Sequence, residues 1–346
     1  MTRTTRRLIF YCFVALFIII TPPTILYAIG YTYDFQTNKI VQTGGIYLKA
    51  TPNTAQISVN GKNSGTTARL ISRLAPGDYK IGITKDGYFS WQKTLSVSPK
   101  LVTEARNIYL FPQKIIPELI ASNATSTLKD FLQTAQEKLN EALANRNASS
   151  TAGWLLNNGS IFYISQANFM LYREDMNGGN PTQISKNPLP GDHYRVFSND
   201  GRSFAALSNK GFLYYFNPDK GLFDTIAAEI KNAVMSGDNK KILYWNDNEI
   251  WVYYLQNILV QPYKTAGDKE LVTRFAQKIS QAIFYPDNEH IAFAVSDQIK
   301  ITELDSRDSH NTVDFIGAAG QQIYFDQKNN YFYYLTGNQI FRVTLQ

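Results

Sequence analysis

The stretch Val196–Leu207, VFSNDGRSFAAL, joins two short apolar segments through a polar turn that contains Asp200 and Gly201. Asp hydrogen-bonds the backbone ahead of it and Gly accepts a positive φ, so the pair is a strong turn signal. Two strands joined by a tight turn therefore explain this stretch, and four similar stretches occur elsewhere in the chain. The five turns fall at intervals of 42, 38, 49 and 40 residues, at Asn158, Asp200, Asp238, Asp287 and Gln327.

Each repeat continues into a third apolar strand, and some of these, such as Ile250–Leu255, are apolar on both faces. A period near 40 residues with several short strands is typical of β-propeller blades, which are buried between two neighbours. We therefore predict a propeller of about five blades at residues 152–346, with six blades as the alternative. The last repeat ends after its third strand, so we expect an upstream strand at Lys114–Leu119 to cover the open edge, despite Pro117.

These repeats resemble the TolB-like and prolyl-oligopeptidase-type propellers. Phe197–Gly201 matches that family's aromatic-Ser-x-Asp-Gly turn, and Arg173–Ile184 matches its third hairpin, with Gly178 and Gly179 at the tip. The fourth and fifth repeats lack the Ser and Gly of the turn. When no catalytic domain accompanies such a propeller, the resemblance implies a rigid platform for interactions.

Residues 44–111 form a separate block of short strands, after a short polar stretch at Asp34–Thr43. Asn-Gly, Pro-Gly and Asp-Gly pairs punctuate the block, and apolar residues alternate with polar ones at Ile57 and Val59. This pattern predicts a small antiparallel β-sandwich with one buried face on each sheet.

The same block resembles the PEGA domain of bacterial and archaeal surface proteins. Pro52–Ala55 stands where that family has Pro-Glu-Gly-Ala, Pro76–Tyr79 matches its hairpin, and Gly87 with Tyr88 matches its closing pair. Asn53 and Thr54 depart from the Glu-Gly of the name. The resemblance implies a surface location and binding to envelope components or carbohydrate.

Residues 8–31 carry no charge and follow a basic flank at residues 1–7. About 20 apolar residues suffice to cross the bilayer as a helix. Arginines on the N-terminal side place the N-terminus in the cytoplasm and the bulk of the chain outside the cytoplasmic membrane. The alternative is a signal peptide with its apolar region at 8–20 and cleavage after Ala28-Ile29-Gly30.

Residues 112–151 form a linker between the two modules. From Thr127 onward apolar residues recur at spacings of three and four, which predicts an amphipathic helix with Thr127 and Asp130 as a capping pair. We expect its apolar stripe to pack on a neighbouring module, and a membrane-surface or partner-binding helix is the alternative.

Composition sets the fold class as mainly β and excludes several functions. Of the 346 residues, 14% are aromatic, which favours strands. The single Cys excludes an internal disulfide framework and any multi-thiolate metal site. The net charge is +6, half of it in the three N-terminal arginines, and the remaining basic residues do not cluster, so we expect no nucleic-acid partner.

Catalytic motifs are missing from the sequence. It contains no HExxH, no GxSxG, no phosphate-binding glycine loop and no paired-cysteine zinc pattern. A Ser-x-x-Lys at Ser126–Lys129 and a calcium-loop-like segment at Asp175–Asn180 are explained more simply by a helix cap and a blade turn. We predict no catalytic residue, cofactor or metal site.

Five residues are candidates for binding. The turn residues Asp200, Asp238 and Asp287 would hydrogen-bond their own turns, or together concentrate negative charge at one mouth of the propeller. Tyr88 and Trp91 lie in a dense aromatic segment that would pack in a core, or offer a ring face to a sugar.

The sequence therefore predicts a membrane-anchored, non-catalytic binding or scaffold protein of the cell envelope. Its partners would be the membrane, through the N-terminal helix, and an envelope protein or glycan. The alternative is an enzyme or enzyme accessory that acts on envelope polysaccharide or peptide, with Asp200 and Asp287 as acid and base.

Overall fold

A computed structural model describes residues 2–35, 37–122, 124, 128, 150–176, 180–319, 322–327 and 329–345. The chain divides into two compact units. The first comprises Met1–Gln113 with Arg307–Ser309, and the second comprises Lys114–Ser306 with His310–Gln346. The mainly β fold predicted from the aromatic composition is confirmed by 29 strands against a single long helix in the described parts of the chain.

The helix of the first unit, α1 (Arg3–Ala28), is long and apolar enough to cross a membrane, and no residue in it is buried by the rest of the chain. Its first turn is capped by Thr2, whose Oγ1 accepts a hydrogen bond from the Thr5 amide at 3.3 Å. The helix therefore begins within the basic flank and ends three residues before the predicted limit at Tyr31, because Gly30 turns the chain at a φ of +88°.

A hairpin follows α1 directly. Its strands, β1 (Tyr31–Asp34) and β2 (Lys39–Gln42), pair antiparallel with Tyr33 opposite Ile40. The hairpin is closed at its base by Thr43, whose amide and hydroxyl both donate to the Gly30 carbonyl at 2.8 Å. The polar stretch predicted at Asp34–Thr43 is thus half of an ordered hairpin.

The rest of the first unit is a two-sheet β-sandwich. Its strands are β3 (Gly44–Thr51), β4 (Gln56–Val59), β5 (Lys62–Thr66), β6 (Arg69–Leu74), β7 (Gly77–Thr84), β8 (Trp91–Val97) and β9 (Val102–Tyr109). One sheet has the order β6-β3-β9 and the other β5-β4-β7-β8. The inward-facing residues of both sheets, among them Ile46, Ile57 and Ile81, form one buried core.

The prediction of a wholly antiparallel sandwich is wrong in one pair. β3 and β9 pair parallel, with Ile46 opposite Thr103. A parallel pair needs a crossover of a dozen or more residues, and here the second sheet supplies it. Turn signals report only hairpins, so they could not reveal this pairing.

The second unit contains the strands of the propeller. They are β10 (Glu118–Ala121); β11 (Thr151–Asn157), β12 (Ser160–Ser165), β13 (Leu171–Asp175) and β14 (Thr182–Gln183); β15 (Tyr194–Phe197), β16 (Phe204–Ser208), β17 (Leu213–Asn217) and β18 (Leu222–Ala227); β19 (Asn232–Met235), β20 (Lys241–Trp245), β21 (Glu249–Tyr254) and β22 (Lys269–Arg274); β23 (Ile279–Phe284), β24 (His290–Val295), β25 (Gln298–Glu303) and β26 (Thr312–Ile316); β27 (Gln322–Asp326), β28 (Tyr331–Thr336) and β29 (Gln339–Thr344).

These strands form five four-stranded antiparallel sheets within the described residues, which confirms the predicted propeller of about five blades. Four sheets use consecutive strands, and the fifth has the order β10-β29-β28-β27. Successive blades pack through apolar faces. One core joins blades one and two around Phe204, the next joins blades two and three around Ile242, and a third joins blades three and four around Phe293.

The open edge of the last blade is covered by β10, as predicted from the incomplete fifth repeat. Glu118 lies opposite Arg342 and Leu119 opposite Phe341. The strand starts after Pro117 rather than at Lys114, because a proline has no N–H to donate to a ladder. Leu128 is buried against the same blade beside Ile340. The rest of the helix predicted from Thr127 lies outside the described residues.

Candidate binding site

The two ends of the propeller differ in the turns that they carry. We call the end with the connections between first and second strands (residues 157–160, 198–203, 236–240 and 285–289) the first-turn end. In an antiparallel blade the next connection lies at the opposite end. We call that end, with residues 209–212, 246–248 and 296–297, the second-turn end.

Asp200 and Asp238 lie at the first-turn end, and each carboxylate binds its own turn. The Asp200 Oδ1 accepts hydrogen bonds from the Arg202 and Ser203 amides, both at 2.9 Å. The Asp238 Oδ1 accepts from the Ser236 hydroxyl at 2.6 Å and from the Lys240 amide at 3.2 Å. These contacts are the local hydrogen bonds expected of turn aspartates.

Asp287, the third predicted residue, also binds its own turn and in addition a buried histidine. Its Oδ1 accepts from the Glu289 and His290 amides at 2.9 and 3.0 Å. Its Oδ2 lies 2.6 Å from the His290 Nδ1. Burial opposes charge on both groups, but their mutual attraction outweighs it, so the pKa of Asp287 is lowered and that of His290 is raised. The sequence analysis did not single out His290 as a partner of Asp287.

Asparagine side chains tie the turns of neighbouring blades to one another. The Asn157 Nδ2 donates to the Ser198 carbonyl at 3.4 Å, and the Asn199 Nδ2 donates to the Ser236 carbonyl at 2.9 Å. The Gly237 amide donates to the Asn288 Oδ1 at 2.8 Å. Hydrogen bonds between neighbouring turns therefore connect the blades at the first-turn end. Each of these asparagines is next to a predicted turn position in the sequence. That spacing is the sequence signal that could have indicated the links between blades.

An ion pair between a buried lysine and a half-buried glutamate connects blades three and four. Lys241 is 1% exposed, and its Nζ donates to the Asn288 carbonyl at 2.9 Å and to the Glu289 Oε1 at 2.8 Å. Burial raises the pKa of Glu289 despite Lys241, and the nearby Asp287 and Asp238 raise it further. Two of the three predicted aspartates, Asp238 and Asp287, are thus near enough to Glu289 for their charges to act on it. Asp200 lies in the first turn of blade two, one blade before Asp238, where it accepts hydrogen bonds from its own turn.

Tyr88 and Trp91 lie in the sandwich of the first unit. Trp91 is 3% exposed and belongs to its core, so its ring is packed against other side chains. Tyr88 is partly buried against the same core, and the Lys85 Nζ lies 5.0 Å from its ring centroid. This placement favours packing over a sugar-binding platform for Trp91.

The second-turn end carries a cavity that sequence reasoning missed. It measures about 640 Å³ and lies between blades two and three, lined by the turn at residues 208–211 and by Arg195, Glu229 and Lys231. Gly211 allows the close approach of this turn to Ile230, since its φ is +83° and an added Cβ would meet the Ile230 carbonyl at 3.2 Å. A smaller cavity of about 280 Å³ lies at the same end, beside Ser296 and Lys300.

Cationic side chains dominate the larger cavity. Arg195, Lys210 and Lys231 line it, against one carboxylate, Glu229. The Arg195 Nη2 donates to the Asn232 Oδ1 at 2.5 Å, which holds the guanidinium in place. The Lys231 Nζ forms an ion pair with Asp247 at 2.6 Å, which offsets its charge and leaves Arg195 and Lys210 as the main cations of the lining. Such a lining suits a ligand with carboxylate or phosphate groups.

The same lining offers no pair of carboxyl groups for acid–base chemistry. Among the described residues, moreover, no group of three or more His, Cys, Asp or Glu side chains is placed to hold a metal ion.

Comparison with solved structures finds matches of low similarity. One is a nidogen/laminin complex, with 9% identity and a TM-score of 0.34, which covers 53% of this chain and 74% of that one. Another is the C-terminal WD40 domain of Sif2, with 12% identity and a TM-score of 0.39, which covers 57% of this chain and 59% of that one. Both TM-scores are below 0.5, which is too low to establish a shared fold.

Comparison with protein families concerns the first unit. No curated protein matches the chain. Residues 43–109, however, match the family model of the PEGA domain. The match coincides with the sandwich built by β3–β9, and it confirms the resemblance drawn from the turns of that block.

Proposed function

We propose that the protein is a non-catalytic binding or scaffold protein of the cell envelope, anchored in the cytoplasmic membrane by α1. It presents the PEGA module and the propeller to envelope polymers or proteins. The observation that carries the proposal is the cationic cavity at the second-turn end, lined by Arg195, Lys210 and Lys231. Its ligand is a polymer or protein segment that carries carboxylate or phosphate groups.

The orientation in the membrane follows from charge. Arg3, Arg6 and Arg7 precede the apolar part of α1, and the next basic residue is Lys39. The positive-inside rule keeps the basic side of a helix in the cytoplasm, so both β modules lie outside. A cleaved signal peptide would export the same modules without the anchor, which makes the anchor a separate part of the proposal.

The alternative is an enzyme, or an accessory of one, that uses Asp200 and Asp287 on envelope polysaccharide or peptide. A general acid needs a raised pKa, whereas that of Asp287 is lowered by His290. Both carboxylates also accept two backbone hydrogen bonds each. These contacts support turn-stabilising roles and favour the binding proposal.

Pull-down of the full chain with peptidoglycan, wall glycans and envelope proteins tests the proposal. We expect the wild type to retain an anionic component and Lys210→Glu to bind it about tenfold more weakly, a difference of about 1.4 kcal/mol. Lys220→Glu is the matched control. It reverses the charge of an exposed lysine in the same blade. This lysine lies in the turn between β17 and β18, at the first-turn end.

Two results would contradict the proposal. One is equal retention by Lys210→Glu and wild type. The other is absence of binding together with hydrolysis of an envelope polymer that is abolished by Asp200→Asn or Asp287→Asn, which would establish the enzymatic alternative.

A further inference from the structure

The two faces of the hairpin that follows α1 differ, because exposed apolar side chains concentrate on one of them. Residues opposite each other in a two-stranded ribbon share a face, so Tyr33 and Ile40 point the same way, followed by Phe35. All three are exposed, at 47%, 58% and 85%. The other face carries the pairs Asp34–Lys39 and Thr32–Val41. A ribbon of two strands is marginally stable in water by itself, so an exposed apolar face needs a partner.

The hairpin is fixed to the end of the helix. Gly30 accepts both hydrogen bonds of Thr43. The Arg73 guanidinium carbon lies 3.7 Å from the centroid of the Tyr27 ring, and its Nη1 donates to the Tyr27 carbonyl at 3.4 Å. The Lys100 amide donates to the Thr43 carbonyl at 3.0 Å. These contacts hold the hairpin and the neighbouring sandwich edge at the point where α1 ends.

The length of α1 places that point at a membrane surface. From Arg7 to Ala28 the helix rises about 32 Å at 1.5 Å per residue. The hydrocarbon core of a bilayer is about 30 Å thick. If the arginines stay at one surface, the hairpin begins at the other. Tyr and other aromatic side chains are enriched at that depth, because their rings suit the boundary between headgroups and acyl chains.

We infer that the hairpin lies in the membrane interface, with Tyr33, Phe35 and Ile40 among the lipid headgroups of the outer leaflet. On the other side of the ribbon Lys39 is exposed to water, and the partly buried Asp34 lies near Tyr79 of the sandwich. The partner of this surface is the bilayer itself. The inference rests on the proposed membrane anchor and extends it, since it makes the hairpin a second contact that holds the PEGA module at the bilayer.

Spin labelling of the full chain in lipid nanodiscs tests this inference. Cys12→Ser removes the natural cysteine, and single nitroxides are then attached at Phe35→Cys and Ile40→Cys. Lys39→Cys is the matched control on the opposite face of the same strand, and Lys62→Cys in β5 is an aqueous reference. Phe17→Cys reports whether α1 is in the bilayer. The collision rates of each label with oxygen, which concentrates in lipid, and with a water-soluble nickel chelate are compared.

We expect positions 17, 35 and 40 to favour oxygen, and positions 39 and 62 to favour the chelate, with ratios that differ severalfold. Labels at 35 and 40 that behave like the label at 62, while position 17 remains in lipid, would overturn the inference and leave the anchor intact. A label at 17 that behaves like 62 would overturn both. Tyr33→Cys gives an independent reading of the same face and must agree with 35 and 40.

Discussion

The Arg342 Nη2 lies 2.6 Å from the Glu118 Oε2, although the two residues are separated by 224 positions in the chain. The pair marks the place where β10 joins β29 and completes the last blade. Ion pairs between exposed side chains add little stability. The pair therefore indicates the register of the closing strand, and the buried residues beside it hold the strand in place.

The closing strand predicts a contrast between two adjacent residues. Ile120 packs against the buried core formed by Tyr333, Leu335 and Ile340, whereas Leu119 is 50% exposed. We expect Ile120→Asp to lower the free energy of unfolding of the propeller by about 2 kcal/mol, because it places a charge against an apolar core. Leu119→Asp should change it by less than about 0.5 kcal/mol. Thermal unfolding followed by circular dichroism measures both, and equal effects would contradict the assigned faces of β10.

The Lys241–Glu289 pair predicts a large effect from a change that keeps the shape of the side chain. Lys241→Met leaves Glu289 half-buried without its counter-ion, which should cost about 3 kcal/mol. Lys240→Met alters the exposed neighbouring lysine and should leave the free energy of unfolding almost unchanged. Denaturant unfolding at neutral pH gives the comparison.

The same variant predicts a pH dependence. Burial already raises the pKa of Glu289, and loss of Lys241 raises it further. When the pKa of a carboxyl group is higher in the folded protein than in the unfolded chain, where it is about 4.3, the folded protein loses stability as the pH rises through the folded pKa. The deficit of Lys241→Met should therefore shrink as the pH is lowered toward the unfolded value. A deficit that does not change with pH would contradict this explanation.

His290 predicts a separate loss of stability on the alkaline side. Its imidazole is buried, and its pKa is raised by Asp287, with contributions from Glu303 and Glu289 that also oppose the effect of burial. The stabilisation is complete below the unfolded pKa of about 6.5 and disappears as the pH rises through the higher folded value.

Unfolding measured across this range should show that decline in the wild type and a flatter profile in His290→Gln. His193→Gln, at an exposed position, should retain the wild-type slope. An identical slope in His290→Gln and the wild type would exclude the Asp287–His290 pair as its cause.

Gly153 predicts a steric effect between the first two blades. An added Cβ would lie 2.2 Å from the Tyr194 carbonyl oxygen, and no flexible side chain could yield there. We expect Gly153→Ala to cost about 2–3 kcal/mol, since the first strands β11 and β15 must move apart. Gly317→Ala is the control, because nothing lies within 4 Å of its added Cβ. Equal melting temperatures for the two variants would contradict the close approach of these strands.

The sequence predicts the propeller well because repetition and two-sided burial leave few alternatives. The turns at Asp200, Asp238 and Asp287 are local features, and each folds as its residues indicate. The last repeat lacks a fourth strand, which indicates that a strand from elsewhere in the chain must complete the blade. Even a contact between residues 224 positions apart can therefore be predicted from the sequence. By contrast, the parallel pairing of β3 with β9 depends on the path of the chain through another sheet, which leaves no local pattern.

The cavity could not be predicted for a related reason. Arg195, Lys210 and Lys231 belong to a strand, a turn and a loop, and no motif connects them. Only the packing of blade two on blade three brings them together. The hairpin after α1 was accessible in principle, since Tyr31, Tyr33 and Phe35 alternate with polar residues. The helix predicted from Thr127 and the enzymatic alternative stay predictions.

Protease treatment of intact spheroplasts that express the full chain, with an epitope tag at the C-terminus, tests the central claim most directly. A single-pass anchor with both β modules outside predicts loss of the tag and a small protected fragment around α1. A chain that remains at full length until the membrane is lysed would contradict the account, because the modules would then face the cytoplasm. Recovery of a soluble chain that begins after Gly30 would replace the anchor by a cleaved signal peptide.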